Sequence, residues 1–182
     1  MGNSDTTPYV KDEYASVCLR TTILNAGKTE LTVVTDIMDA DGQVVSTKTN
    51  KGVINHGQPF TQNFIVERPK LWSPETPVLY KAVSKIYSGD TLLDTYSTRF
   101  GIRTIEYIAD KGFYLNGKRR KFQGVCNHHD LGPLGAAINV AALRHQLTLL
   151  KEMGCDAIRT SHNMPAPELV ELCDEMGFHD DA

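Results

Sequence analysis

Two short clusters carry the side chains best able to do chemistry. The stretch GVCNHHD, Gly124 to Asp130, ends an apolar run with two histidines and an aspartate. The stretch RTSHN, Arg159 to Asn163, places an arginine, a histidine and an asparagine close together. Adjacent imidazoles and a carboxylate could form a metal centre, a catalytic dyad, or one part of a larger site whose other members lie elsewhere in the chain. Neighbouring residues of a strand point to opposite faces, so His128 and His129 cannot both enter one site while the strand stays regular. That disfavours a two-histidine metal centre. Cys18, Cys126, Cys155 and Cys173 are scattered with no C-x-x-C pair, so neither a zinc ribbon nor a dense disulfide framework is indicated. They read as buried free thiols.

The elements around these clusters follow from composition and period. With 182 residues, 41% hydrophobic and 23% charged, the chain suits a soluble globular protein of one large domain or two small ones. The net charge of -3 and the short basic run Lys118 to Lys121 give no electrostatic reason to expect nucleic acid as partner. No apolar run approaches the roughly 18 residues needed to span a bilayer, so no membrane partner is expected. The polar start MGNSDTTPYV lacks the apolar core of a signal peptide. Localisation stays open, and a periplasmic or secreted parent whose signal has been removed is compatible with it.

Up to about residue 105 the chain alternates apolar and polar. Val17, Leu19, Thr21 and Ile23 share one face, as do Leu31, Val33, Thr35 and Ile37. Turn signals recur at Asn25 to Gly27, Asp39 to Gly42, Asn55 to Gly57 and Ser88 to Asp90, with Asp41-Gly42 the clearest hairpin. This spacing predicts an immunoglobulin-like β-sandwich of about seven strands over residues 1–105. Beyond it, Asn116-Gly117 marks a hairpin within FYLNGKRRKF, and Gln123 to His128 reads as a buried strand. Asn139 is a good N-cap for a helix with Leu143, Leu147 and Leu150 on one face and Gly154 as its stop. Asp156 to Ser161 reads as a second strand, and Pro167 opens a helix with Leu169, Leu172, Cys173 and Met176 on one face, ending at Gly177. Repeated strand-helix units predict a parallel sheet, and functional groups in such sheets gather beyond the carboxyl ends of the strands. GVCNHHD and RTSHN sit at those ends.

Five segments in order, WSPETPVLY, RFGIRTIE, FYLNGK, GVCNHHD and AIRTSHNMPAPELVELCDEMGF, resemble the signatures of glycoside hydrolase family 2, which includes β-galactosidases, β-glucuronidases and β-mannosidases. The resemblance implies a β-sandwich followed by the first two βα units of an incomplete (β/α)8 barrel over residues 106–182. A full barrel needs about 250 residues, so the chain is expected to be a fragment, and HDDA at its end departs from the apolar third strand of the family. The implied parent is a retaining glycoside hydrolase acting on terminal β-galactosides, with β-glucuronidase or β-mannosidase as alternatives. A non-catalytic sandwich module is the reading from another class. Both catalytic glutamates of the family lie on later strands, and Glu168, Glu171 and Glu175 read instead as the solvated face of the second helix. The fragment is therefore expected to be catalytically silent.

What the resemblance assigns to this chain is the lining of the sugar site. His128 matches a strand-end histidine of the sugar subsite, Asp130 would reach a hydroxyl, and Arg159 would hold a nucleophilic carboxylate ionised and oriented. His162 would contact the sugar, while Asn127 and Asn163, read from side-chain type alone, could hydrogen-bond a sugar or stabilise turns. Arg159 and His162 can share a site only if the backbone turns after Thr160 or Ser161, and Pro165 and Pro167 favour such a bend. The plain alternatives are a strand-capping histidine at 128 and 129, an ion-paired Arg159 and a packed His162. Family β-galactosidases use magnesium or sodium, so the parent could hold either, but no complete ligand set is placed here and no cofactor is assigned to the fragment. Trp72, between Pro69 and Pro74, is expected to pack the loop entering a sandwich strand. Barrel strands lacking neighbours expose edges and apolar faces, so residues 120–180 are expected to self-associate with a second copy.

Overall fold

The computed structural model describes residues 2–24, 30–53, 56–57, 59–162 and 164–181. The chain divides into two compact units, one of Met1–Lys70 with Leu79–Arg103, the other of Leu71–Val78 with Thr104–Ala182.

Among the described residues the first unit holds seven strands: β1 (Gly2–Val10), β2 (Tyr14–Thr22), β3 (Glu30–Met38), β4 (Val44–Val53), β5 (Pro59–Glu67), β6 (Tyr80–Ser88) and β7 (Thr91–Phe100). They form two antiparallel sheets, ordered β1-β2-β5 and β4-β3-β6-β7. The alternation of β2 and β3 is what permits this. Val17, Leu19 and Thr21 on β2, and Leu31, Val33, Thr35 and Ile37 on β3, are all buried together with Phe64, Val66 and Ala82. Each fully buried aliphatic contributes roughly 1.5–3 kcal/mol. The core also contains a polar layer. Thr35 Oγ1 donates to Gln62 Oε1 at 2.8 Å and lies 2.9 Å from Ser84 Oγ, while Gln62 Nε2 donates to Asn50 Oδ1 at 2.9 Å. Since β5 belongs to one sheet and β3 to the other, the Thr35–Gln62 bond runs between sheets.

The β3–β4 turn forms where expected. Asp39 Oδ1 accepts the amides of Asp41 and Gln43, and Gly42 supplies φ +78°. Gly89 serves the β6–β7 turn with φ +57°. The turn at Asn25 to Gly27, and Asn55 of the next one, lie outside the described residues.

The second unit begins with a small antiparallel sheet, β8 (Ile105–Ile108), β9 (Gly112–Leu115) and β10 (Lys118–Arg119). Asn116 and Gly117 both take positive φ between β9 and β10, as a tight hairpin requires. Next come β11 (Gly124–Asn127), α1 (Val140–Glu152), β12 (Ala157–Thr160), α2 (Pro167–Met176) and β13 (His179–Asp181). The three strands β11, β12 and β13 form one parallel sheet in that order. Asn139 Oδ1 caps α1 by accepting the Ala142 amide, and Pro167 opens α2, which stops at left-handed Gly177. Leu143, Leu147, Ile158, Leu172, Cys173 and Phe178 pack the helices onto one face of the sheet.

Three sequence expectations are corrected here. His179–Asp181 does form a third parallel strand, because backbone pairing needs no apolar pattern and the His179 ring stacks on Phe122 at 4.5 Å between centroids. Only Cys173 of the four cysteines is buried, and Cys126 is exposed on the face of β11 away from the helices. Trp72 packs in the second unit rather than in the sandwich: its indole is 1% exposed and donates to the Asp174 carbonyl on α2 at 2.9 Å.

The whole segment 71–78 is built into that unit. Asn116 Nδ2 donates to the Trp72 carbonyl at 3.0 Å, and Lys151 Nζ donates both to the Pro74 carbonyl at 3.1 Å and to the Gly177 carbonyl at 2.8 Å. Arg120 grips both oxygens of Glu75 at 3.0 and 2.6 Å and donates to Asp156 Oδ2 at 2.6 Å. Asp156 Oδ1 in turn accepts the Gln123 amide at 2.8 Å, which joins the entries to β11 and β12.

Candidate functional site

The carboxyl ends of β11 and β12 bring the two chemical clusters side by side. Asn127 pairs with Thr160, and one step further the Ser161 amide donates to the Asn127 carbonyl at 2.8 Å. Both strands end there. His128 follows β11 directly, and His162 takes φ +68°, a left-handed conformation that turns the chain out of the strand direction. The bend thus falls after Ser161, one of the two positions the sequence offered. The rings of His128 and His162 stand 5.7 Å apart between centroids, their planes inclined by 58°.

The other residues divide. Arg159 is exposed on the face of β12 opposite buried Ile158 and Thr160, with Cys126 and Asp181 as its register partners on either side. His129 is exposed and lines the same recess as His128, but it is His128 whose ring meets that of His162. Asp130 Oδ1 accepts the Gly132 amide at 2.8 Å, at the entry to the 3-10 turn Gly132–Leu134. Asn163 lies outside the described residues. Beside His128 lies a recess lined also by His129, Asp130, Leu131, Ile138 and Met164. Asn127 Nδ2 and Thr160 Oγ1 are buried near it with no hydrogen-bond partner among the described residues.

Two tilted imidazoles suit hydrogen bonding to a polyhydroxylated ligand, whereas the exposed Arg159 lines a separate recess with Phe122, Cys126 and His179. These side chains do not make an acid–nucleophile pair. Glu168 and Glu171 are exposed on α2, and Glu175 Oε2 accepts from Arg144 at 2.8 Å, so these carboxylates occupy the outer helical layer. Among the described residues, no group of three or more His, Cys, Asp or Glu could hold a metal ion. No described helix is long and apolar enough to cross a membrane. Sequence reasoning missed Cys126 and Met164 at this end of the sheet. The exposure of Cys126 was in principle legible, since it alternates with Val125 and shares the face of Arg159.

Residues 3–103 match the profile of Glycosyl hydrolases family 2, and residues 107–179 match that of Glycosyl hydrolases family 2, TIM barrel domain. The chain is 46% identical over 181 residues to a protein named Beta-galactosidase BoGH2A from Bacteroides ovatus, covering 97% of this chain and 21% of that one. It is 40% identical over 172 residues to a Putative beta-glucuronidase of Formosa agariphila, covering 94% and 16%. A glycosyl hydrolase family 2 member from Bacteroides cellulosilyticus superposes with a TM-score of 0.93 at 33% identity, over 98% of this chain and 25% of that one. Bacteroides uniformis β-glucuronidase superposes with a TM-score of 0.89 at 32% identity, over 98% and 22%. The chain thus spans about a fifth of the length of the curated relatives it matches.

Proposed function

Because the chain belongs to glycosyl hydrolase family 2, we propose that it is the sandwich and opening barrel portion of a retaining β-glycosidase that releases terminal β-galactosyl residues. The observation that carries this is the convergence of His128 and His162, from the loops after two parallel strands, to 5.7 Å. In this reading His128 and His162 hydrogen-bond sugar hydroxyls, helped by Asn163 and by Asp130 Oδ2. Arg159 orients and keeps ionised the nucleophilic carboxylate. Retention requires that carboxylate and a carboxylic acid about 5–5.5 Å apart, and both would come from barrel strands other than β11, β12 and β13. The 182 residues alone would then bind weakly and turn nothing over. Magnesium or sodium would belong to the whole enzyme.

The galactoside is favoured over the glucuronide by the relative at 46% identity, whose name specifies it. Glucuronide is the second reading, supported by the relative at 40%. The test uses aryl β-galactoside and aryl β-glucuronide. The purified chain should give background hydrolysis only, and a rate that survives repurification and disappears in His128→Ala would overturn the assignment of chemistry to other strands. In a protein continuing through the barrel, galactoside should be preferred. His162→Ala should lower kcat/KM there by about 100-fold, the loss of roughly two hydrogen bonds in the transition state. Preference for glucuronide would replace the first reading with the second.

A further inference from the structure

We infer that residues 71–78 act as a positioning strap for the candidate site, fixing the base of the parallel sheet so that its opposite end holds Arg159, His128 and His162 in place. The strap reaches each element that carries the site, the helices directly and the strands through Arg120 and Asp156. Trp72 Nε1 holds the carboxyl end of α2 through Asp174, and Pro74 meets Lys151 near the end of α1. Glu75, through Arg120, reaches Asp156 at the start of β12, and Asp156 holds Gln123 at the start of β11. All these attachments lie at the amino ends of the strands, while the histidines follow the carboxyl ends. A strand of four residues pinned at one end cannot slide or tilt without moving the residue that follows it.

Close approach is the second line of argument. At Gly177 a Cβ would overlap the Pro74 carbonyl oxygen and come within 3.0 Å of its Cα. The same Lys151 ammonium that bonds both carbonyls also lies 4.9 Å from the centroid of the Phe178 ring. The glycine therefore serves two ends at once, the left-handed stop of α2 and the contact that seats the strap. Relevance to sugar binding rests on the proposed function, but the strap itself does not.

Gly154 supplies the control. It too is left-handed, at φ +88°, but a Cβ there would meet only Gln123 Oε1 at 3.9 Å. Gly177→Ala and Gly154→Ala thus impose similar backbone strain, and only the first displaces the strap. In the full chain, amide exchange of β12 and α2 should be at least about 10-fold faster in Gly177→Ala than in Gly154→Ala, with β2 and β3 unchanged. The imidazole NMR signals of His128 and His162 should move in Gly177→Ala and not in Gly154→Ala. Trp72→Phe and Lys151→Met, which delete donors and keep bulk, should reproduce the direction with smaller amplitude. Equal exchange in the two alanine variants, or unmoved imidazole signals in Gly177→Ala, Trp72→Phe and Lys151→Met alike, would overturn the inference. Since neither readout is activity, failure of the strap is distinguishable from failure of the glycosidase reading.

Discussion

Replacing Arg120 by methionine isolates one charge from one volume, and the structure sets what it should cost. The guanidinium bonds two carboxylates of very different exposure: the Glu75 side chain is 63% exposed, that of Asp156 only 19%. An exposed pair is worth about 0.2–1 kcal/mol even when bidentate geometry is good, because water and salt screen it. Removing one partner of a fully buried pair costs about 3–5 kcal/mol, since the remaining charge is stranded. Asp156 falls between these limits. It keeps one donor, the Gln123 amide at 2.8 Å, and some water access, so about 2 kcal/mol is the reasonable figure for its arm. Arg120→Met should therefore destabilise the second unit by about 2–3 kcal/mol, and Glu75→Gln by about 0.5 kcal/mol. Trp72 is the sole tryptophan of the chain and belongs to that unit, so its fluorescence during urea unfolding reports the relevant transition. If Glu75→Gln costs as much as Arg120→Met, or if Arg120→Met costs less than about 1 kcal/mol, the assignment of the larger share to shielded Asp156 is wrong.

Other outcomes follow from the same contacts. The hydrogen bonds from Arg120 hold the pKa of Glu75 at about 2, below its ordinary 4.5. A folded-state pKa that is depressed stabilises above pH 4.5 and loses that contribution as pH falls toward 2. For so exposed a side chain the loss is about 1 kcal/mol or less, and Trp72-monitored melts from pH 6 to pH 2.5 should show it vanish in Glu75→Gln. Burial pushes the Cys173 thiol up to about 12, whereas Cys126 is exposed, so a thiol reagent at pH 8 should label Cys126 first and Cys173 only on unfolding. Mass spectrometry of the labelled chain checks the order, and early labelling of Cys173 would contradict it. Among the described residues, β11 and β13 each have a single strand neighbour, so the 182-residue chain should self-associate with rising concentration. Light scattering that finds only monomer at high concentration would refute this.

The elements legible in the sequence were those whose burial is one-sided. β2 and β3 announce themselves because Val17, Leu19, Val33 and Ile37 alternate with solvent-facing residues, and α1 and α2 because Asn139, Pro167 and Gly177 punctuate an apolar stripe. β13 was hidden because His-Asp-Asp carries no apolar period, and its place depends on the neighbouring strand. The strap was hidden for a different reason. Trp72 finds its acceptor 102 residues later, a separation that no local pattern encodes. At the candidate site, the need for a turn after RTS could be deduced from alternation, but the residue that bears the positive φ could not. A left-handed histidine is chosen by its surroundings rather than by its own preference.

The layer of Thr35, Gln62 and Ser84 has a consequence for how the sandwich responds to its medium. An all-aliphatic interface between two sheets is nearly as content after a small sliding displacement, because dispersion has no direction. A hydrogen bond of 2.8 Å between Thr35 and Gln62 does. Sliding β5 over β3 by one side-chain repeat would strand a carboxamide that is now 2% exposed, at a cost of about 1–3 kcal/mol for each unpaired group. All three groups are uncharged, so this alignment is indifferent to acid and to ionic strength, the two conditions that loosen the Glu75–Arg120 pair.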